Sequence, residues 1–187
     1  YEASDFLWGK VEKVTPTENT IVVRLGHRMA GGNVQLIKGQ GITASEWVSM
    51  KKIVQVDNTI RHAYINMSEG VPVPYGDVDK SIVMFEQSDN NYRAVVIPQT
   101  VPAGESLLSV TIEGRTYSHS LTSDMVYNMG KLHNFTLTIN RTEVSGDFEC
   151  NIGYEGVTDW KNDENSHSYE SNSYVVIDVQ TPGHLEQ

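Results

Sequence analysis

The chain has 187 residues, of which 39% are hydrophobic and 20% are charged, values typical of a folded protein with one well-buried domain or two small ones. Its 24 acidic and 14 basic residues give a formal net charge of −10, which argues against nucleic acid or an anionic membrane surface as the main partner. The single cysteine, Cys150, excludes an internal disulfide, and no window approaches the roughly 20 apolar residues that a membrane-spanning helix needs.

Alternation of apolar and polar residues predicts a series of short β-strands. In chain order they cover residues 20–25, 33–37, 53–56, 63–67, 81–85, 94–97, 108–112, 134–139 and 174–179. Residues that favour turns separate these strands, among them Gly31-Gly32, Asp57-Asn58, and Gly70 with Pro72 and Pro74. Short strands at this spacing are typical of a β-sandwich or barrel.

Two segments depart from the strand pattern. In TASEWVSM, residues 43–50, Thr43 and Glu46 have the spacing of a capping box ahead of Trp47 and Met50, which predicts a short helix. Residues 162–173 are rich in Asn, Asp and Ser and lack apolar periodicity. They predict a mobile surface loop before the last strand.

The stretch from residue 94 to residue 121 combines prolines with two alternating segments. Pro98 and Pro102 bracket residues that we expect to lie outside any sheet, because proline has no N–H to donate. Beyond them, Ser106–Glu113 and Thr116–Leu121 alternate on either side of Gly114, which predicts a β-hairpin.

The predicted sandwich runs from about residue 19 to residue 179. In each strand, the face that carries the apolar residues is expected to point into the core. The side chains expected to point inward are Val22, Leu25, Val95, Ile97, Val110, Ile112, Phe135, Leu137 and Ile139.

The residue types that often form metal or catalytic sites occur without the corresponding spacings. No two histidines are two or four residues apart, as in common zinc sites; they are His27, His62, His119, His133, His167 and His184. Cys150 lies in an alternating segment with no histidine nearby in sequence, which favours a buried, inert thiol over a nucleophile. We therefore expect no cofactor, no tightly bound metal and no catalysis.

Asp77 and Asp79 have the spacing that opens an EF-hand calcium loop. However, Ile82 stands where that loop has glycine, and Ser88 stands where it has its bidentate glutamate. Calcium binding at Asp77 and Asp79 is thus weakly supported and stays open.

Trp8 and Trp160, each flanked by polar or acidic residues, are candidate contacts for a glycan or a protein partner. The structural alternative is a tryptophan that closes the end of a sandwich. Four acidic residues before Trp160 could form a carboxylate pair for glycoside chemistry or simply a solvated face; they are Asp147, Glu149, Glu155 and Asp159.

An ordered set of motifs resembles the fimbrillin family of Bacteroidales surface proteins, the FimA-like and Mfa-like fimbrial subunits. The motifs are a strand leading into Pro-Gln-Thr, a Gly-x-x-Tyr hairpin, a Gly-Lys turn, an aromatic strand ending in Asn, and a late Asp-Trp. They occupy Val95–Thr100, Gly114–Tyr117, residues 130–131, Phe135–Asn140 and residues 159–160. His27 takes the place of a histidine that ends a strand in the family, although HRMAGGNV lacks the lysine that commonly follows there.

This resemblance implies an all-β protein, an antiparallel transthyretin-like β-sandwich with one short helix. Residues 1–18 would be the end of an upstream domain or a linker, 19–180 the fimbrillin-like C-terminal sandwich, and 181–187 an exit linker. The family implies an exported lipoprotein of the outer membrane, touching the membrane only through a lipid-bearing cysteine upstream of Tyr1.

Two classes of function follow from the residues and the resemblance. The first is a non-catalytic structural or adhesive protein whose partners are other fimbrial subunits or a surface protein of host or bacterium. The second is a carbohydrate-binding or glycan-processing surface module, which needs exposed aromatic and carboxylate groups that converge on a groove.

Overall fold

The computed structural model describes residues 5–13, 20–143, 145–160 and 174–178. It confirms an all-β fold with one short helix, α1, at Ala44–Ser49. The strands are β1 Leu7–Trp8, β2 Thr20–Arg24, β3 Gly26–His27, β4 Ala30–Lys38, β5 Lys52–Asn66, β6 Val71–Val83, β7 Phe85–Ser88, β8 Asn91–Val96, β9 Gln99–Val101, β10 Ser106–Ile112, β11 Arg115–Ser120, β12 Met125–Tyr127, β13 Lys131–Arg141, β14 Phe148–Asp159 and β15 Tyr174–Asp178.

Two sheets form the sandwich. One has four strands in the order β11-β10-β5-β6, and the other has five in the order β14-β13-β4-β8-β7. Three two-stranded ladders, β1-β3, β9-β12 and β2-β15, complete the described sheets. The prediction of an antiparallel sandwich needs one correction, because β13 and β4 pair in parallel, with Phe135 opposite Val34. These strands lie about a hundred residues apart in the chain, so the intervening elements provide the long crossover that a parallel pair requires.

The inner faces of both sheets contribute to one apolar core. The predicted inward residues Val110, Ile112, Phe135, Leu137 and Ile139 are all buried, as is Ile97 directly after β8. The remaining predictions fare differently: Val95 and Leu25 are half-buried, and the side chain of Val22 lies outside the described residues. Ala94 and Val96 take the core positions of β8. The sequence pattern does not determine this phase, because residues 94–97 are four consecutive apolar residues.

Several predicted turns lie inside strands instead. Gly31 and Gly32 are part of β4, and Asp57 and Asn58 are part of β5. Asn58 has φ of +51°, a conformation that asparagine tolerates better than most residues. Prolines 72 and 74 belong to β6, which is an edge strand, where a missing N–H costs no ladder bond.

The proline-bracketed segment was predicted to lie outside any sheet, and this is wrong. Residues 99–101 form β9 and pair with β12. Pro98 and Pro102 flank the strand without belonging to it, so no ladder donor is lost. The hairpin that follows is confirmed, since Ile112 pairs with Arg115 and the two turn residues, Glu113 and Gly114, have φ of +50° and +81°, as a two-residue turn of type I′ requires.

The predicted helix and its cap are confirmed. Thr43 is the N-cap of α1, and the capping box with Glu46 is complete in both directions. Trp47 and Met50 are buried in the core. The Glu46 carboxylate also accepts from the Arg141 guanidinium at 2.6 Å, which ties α1 to the end of β13.

Part of the domain prediction lies beyond the described residues. This is true of the loop at 162–173 and the exit linker at 181–187, and the domain boundaries stay predictions. Within the described part of the chain, no helix is long and apolar enough to cross a membrane.

Candidate functional site

Trp8 holds the first described segment against the tip of the β5-β6 hairpin. Its Nε1 donates to the Met67 carbonyl oxygen at 3.0 Å, and the Arg28 guanidinium lies 4.7 Å from the ring centroid. The ring also fills the space beside Gly70, where an added Cβ would come within 2.3 Å of it. Trp8 therefore packs against protein over much of its surface.

Trp160 packs on a histidine that contacts the other end of this segment. The His27 ring stacks on the indole with centroids 4.9 Å apart and planes 6° apart, and His27 Nδ1 lies 2.6 Å from Asp5 Oδ2. A Cβ on Gly31 would lie 3.2 Å from the indole and 2.7 Å from Leu132, which explains why glycine occurs here within a strand.

The two tryptophans do not share a groove. In the β1-β3 ladder Leu7 lies opposite His27 and Trp8 lies opposite Gly26. Side chains alternate along a strand, so Trp8 and the stacked pair His27–Trp160 lie on opposite faces of this ribbon. Contact of Trp8 or Trp160 with a glycan or a partner stays a prediction. The two residues would have to bind separately, because they do not line one groove.

Cys150 and the acidic residues of the late sequence have structural surroundings. Burial, with the nearby Glu149 charge, raises the pKa of the Cys150 thiol to about 11, so the thiol is protonated at neutral pH. Asp147 pairs with Arg115, and Asp159 lies 2.5 Å from Lys131 Nζ. Thr136 Oγ1 donates to Glu155 Oε1 at 3.1 Å. These carboxylates pair with neighbouring strands rather than with one another.

Asp77 and Asp79, which have the spacing of a calcium loop, lie in a β-strand. Residues 76–79 belong to β6, where the register shifts by one residue between the pairs Ile60–Val78 and His62–Tyr75. Asp77 thus lies at a β-bulge in an extended segment, which lacks the compact twelve-residue loop of an EF-hand. Within the described part of the chain, no cluster of three His, Cys, Asp or Glu side chains could hold a metal ion.

An exposed aromatic face on the β5-β6 hairpin was not singled out from the sequence. β10 pairs only with residues 52–56 of β5, so residues 59–66 and 71–79 extend past it as a two-stranded arm. Tyr64 and Tyr75 stack on this arm with centroids 4.0 Å apart, and they are 65% and 42% exposed. Val73, directly opposite Tyr64, is 51% exposed. We call this surface the arm face.

The arm is braced at both ends. At its base, the Gln99 side chain accepts from Ile60 N at 2.7 Å and donates to Ile60 O at 3.0 Å, replacing a neighbouring strand. At its tip, Trp8 binds Met67 and packs on Gly70. The arm face is therefore held in place although it projects from the sheet.

A second unpredicted feature is a cleft beside Tyr154, between the end of β11 and strands β13 and β14. His133, which is completely buried, lies behind the Tyr154 ring with its Nδ1 3.2 Å from the Tyr154 hydroxyl. Residues 119–125 supply the facing wall. In the sequence, the Gly-x-x-Tyr motif ends two residues before the first wall, and Phe135 of the aromatic-strand motif belongs to the second. Nothing local shows that these two parts of the chain face each other.

Comparison with known proteins adds a family and a fold. The family model described as fimbrillin-like matches residues 1–154, whereas comparison with curated protein sequences gives no significant match. Among solved structures, a proposed cell adhesion protein of Bacteroides uniformis has a TM-score of 0.56 at 15% identity, covering 80% of this chain and 69% of that one. Another from Bacteroides ovatus has a TM-score of 0.50 at 13% identity, covering 84% of this chain and 66% of that one.

The tip fimbrial protein Mfa3 of Porphyromonas gingivalis has a lower TM-score of 0.44 at 11% identity, covering 73% of this chain and 52% of that protein. At such identities the two structures with TM-scores of 0.56 and 0.50 establish a likeness of fold alone. The family model, however, extends over more than half of the sequence. The chain therefore belongs to the fimbrillin-like family. This confirms the resemblance found in the sequence motifs and the fimbrial role expected from it, although the Asp-Trp motif at residues 159–160 lies beyond the matched residues.

Proposed function

We propose that the chain acts by non-covalent assembly at a bacterial cell surface, as a subunit, tip or anchor of fimbriae and without catalysis. The observation that carries this proposal is the fimbrillin-like family match over residues 1–154. Anchorage in the outer membrane through a lipid on an upstream cysteine is part of the proposal. The side chains considered for chemistry support a structural role, since Cys150 is buried and Asp147 and Asp159 are paired with Arg115 and Lys131.

The arm face is the surface that we propose for contact with another fimbrial subunit. Tyr64, Val73 and Tyr75 bring exposed apolar and aromatic area together on one face of a braced hairpin. Exposed apolar patches often mark protein contacts, and tyrosine is enriched in such contacts. Because bracing by Gln99 and Trp8 already orders the arm, a partner would meet it with little loss of conformational entropy.

The location is tested by expressing the intact precursor in its native host and imaging the cells with antibody against this chain. We expect antibody signal on intact cells, since fimbrial subunits are exported. Retention of the protein in the cytoplasm would refute the proposal. Signal without filaments would favour a solitary adhesin over a polymerising subunit.

The contact surface is tested in the same cells with the double variant Tyr64→Ser/Tyr75→Ser. We expect the variant to reach the surface but to be incorporated into fimbriae several-fold less, measured by quantitative blotting of sheared fimbriae. Val48→Ser on α1 is the matched control, because Val48 is 84% exposed but lies away from the arm. Equal incorporation of both variants would exclude the arm face as a subunit contact.

A further inference from the structure

The cleft beside Tyr154 has an apolar floor and a polar rim. Its volume is about 230 Å³, below the roughly 300–1,000 Å³ of sites for drug-sized ligands, so it suits a ligand of about one ring. The floor is formed by Leu121, Met125, Phe135 and Ile152. The rim carries hydroxyl, imidazole and carboxylate groups from His119, Ser120, Thr122, Ser123 and Asp124.

A β-bulge directly follows Tyr154, whose ring lines this cleft. Asn134 pairs with Gly156 and Phe135 pairs with Tyr154, which leaves Glu155 without an opposite residue. Gly156 has φ of +104°, a conformation that favours glycine. β-Bulges occur often beside functional sites. The Tyr154 ring rests on Phe135 with centroids 5.2 Å apart and is 50% exposed.

Buried His133 orients the Tyr154 hydroxyl. Burial lowers the pKa of His133, so its ring is neutral at physiological pH. The Asn128 N–H donates to His133 Nε2 at 3.0 Å, which places the ring proton on Nδ1. Nδ1 then donates to the Tyr154 oxygen, 3.2 Å away. Since that oxygen accepts from the protein side, the hydroxyl proton is available to donate toward the cleft.

We propose that this cleft binds a single neutral sugar residue, a function that goes beyond subunit assembly. A pyranose combines an apolar ring face with a rim of hydroxyls. The Tyr154 ring and the floor complement the face, whereas Tyr154 Oη and the rim groups complement the hydroxyls. The Asp124 carboxylate, fixed by the Ala103 N–H at 2.9 Å, accepts hydrogen bonds from hydroxyls and disfavours an anionic ligand. The polar rim favours a sugar over the apolar side chain of a partner protein.

The test uses ¹⁵N-labelled protein titrated with the methyl glycosides of glucose, galactose, mannose, fucose and N-acetylglucosamine. We expect at least one glycoside to shift the amide signals of residues 119–125 and 154 in a saturable way. Tyr154→Phe keeps the ring and removes the donor, so it should weaken that binding roughly three- to ten-fold, the range for one hydrogen bond. Tyr154→Ala should abolish it, and Tyr64→Phe on the arm is the matched control that should leave it unchanged.

Three outcomes would overturn the sugar site. They are the absence of saturable shifts with all five glycosides, equal weakening by Tyr154→Phe and Tyr64→Phe, and shifts with N-acetyltyrosine amide but with none of the glycosides. The last result would assign the cleft to a side chain of a partner protein. Thermal melting of each variant checks that it folds. Because the titration measures binding to isolated protein, its outcome is independent of surface display and of incorporation into fimbriae.

Discussion

At the residue scale, Asp57 is a carboxylate within the sandwich that the sequence pattern assigned to a turn. It is 7% exposed and accepts hydrogen bonds from Ser106 Oγ at 2.9 Å and Ser109 Oγ at 3.0 Å. Burial raises its pKa, and the two serine hydroxyls offset only part of that effect. The folded protein therefore holds this proton more tightly than the unfolded chain does.

This difference predicts a pH dependence of stability. From the ordinary carboxyl pKa of 3.8 up to the raised value, the folded state binds more protons than the unfolded state, so its contribution to the free energy of unfolding falls as pH rises. Asp57→Asn removes this dependence. In urea denaturation from pH 3.5 to pH 7, we expect wild type to lose stability relative to Asp57→Asn as pH increases. A difference that stays constant, or that grows in favour of wild type, would contradict the assignment.

At the element scale, α1 depends on one side chain with three partners. Glu46 accepts from Thr43 N at 2.8 Å, from Thr43 Oγ1 at 2.7 Å and from Arg141 at 2.6 Å. These hydrogen bonds lower the pKa of Glu46 to about 2, and the bond from Arg141 has the largest effect on it. A six-residue helix is too short to be stable alone, so the cap and the packing of Trp47 maintain it.

Glu46→Gln tests the contribution of the negative charge alone, because glutamine is uncharged but can still complete a capping box. The depressed pKa means that the ionised carboxylate stabilises the fold above pH 4.5, and that this contribution disappears as pH falls toward 2. We expect the variant to melt at a lower temperature than wild type at neutral pH and at the same temperature near pH 2. A gap in melting temperature that persists near pH 2 would indicate a steric rather than an electrostatic cause.

The inward phase of β8 gives a second prediction at this scale. Val96 is 1% exposed, whereas its neighbour Val95 is half-buried. Val96→Ala should lower the free energy of unfolding by about 2 kcal/mol, through lost burial and the cavity left behind. Val95→Ala is the matched control, with the same chemical change one position along the strand and a smaller expected cost. Chemical denaturation measures the free energy of unfolding of both variants. A larger loss for Val95→Ala would show that Val95, rather than Val96, faces the core.

At the scale of the whole molecule, the sandwich depends on contacts between distant parts of the chain. β4 pairs in parallel with β13 at the centre of the five-stranded sheet. The segment at residues 5–9 reaches the sandwich through Asp5 with His27 and through Trp8 with Met67. None of these pairs has a local signature, because their partners lie tens of residues away.

Features that arise between neighbouring residues can be predicted from the amino-acid sequence. The capping box of Thr43 and Glu46, the hairpin turn at Gly114 and the inward residues Phe135, Leu137 and Ile139 are all local patterns, and the structure confirms them. The ordered motifs from Val95 to Trp160 also identified the family that the fimbrillin-like match confirms. Capping, turn formation and apolar periodicity each depend on only a few neighbouring residues, so they can be recognised in the sequence.

Features that depend on partners far away in the chain become visible in the folded structure. The parallel pairing of β4 with β13, the choice of Val96 over Val95 and the burial of Asp57 depend on which strands become neighbours. The cleft likewise depends on the approach of residues 119–125 to Tyr154. The physical reason is that a periodic pattern fixes which face of a strand is apolar, whereas packing between sheets decides what that face meets and which polar groups are enclosed with it.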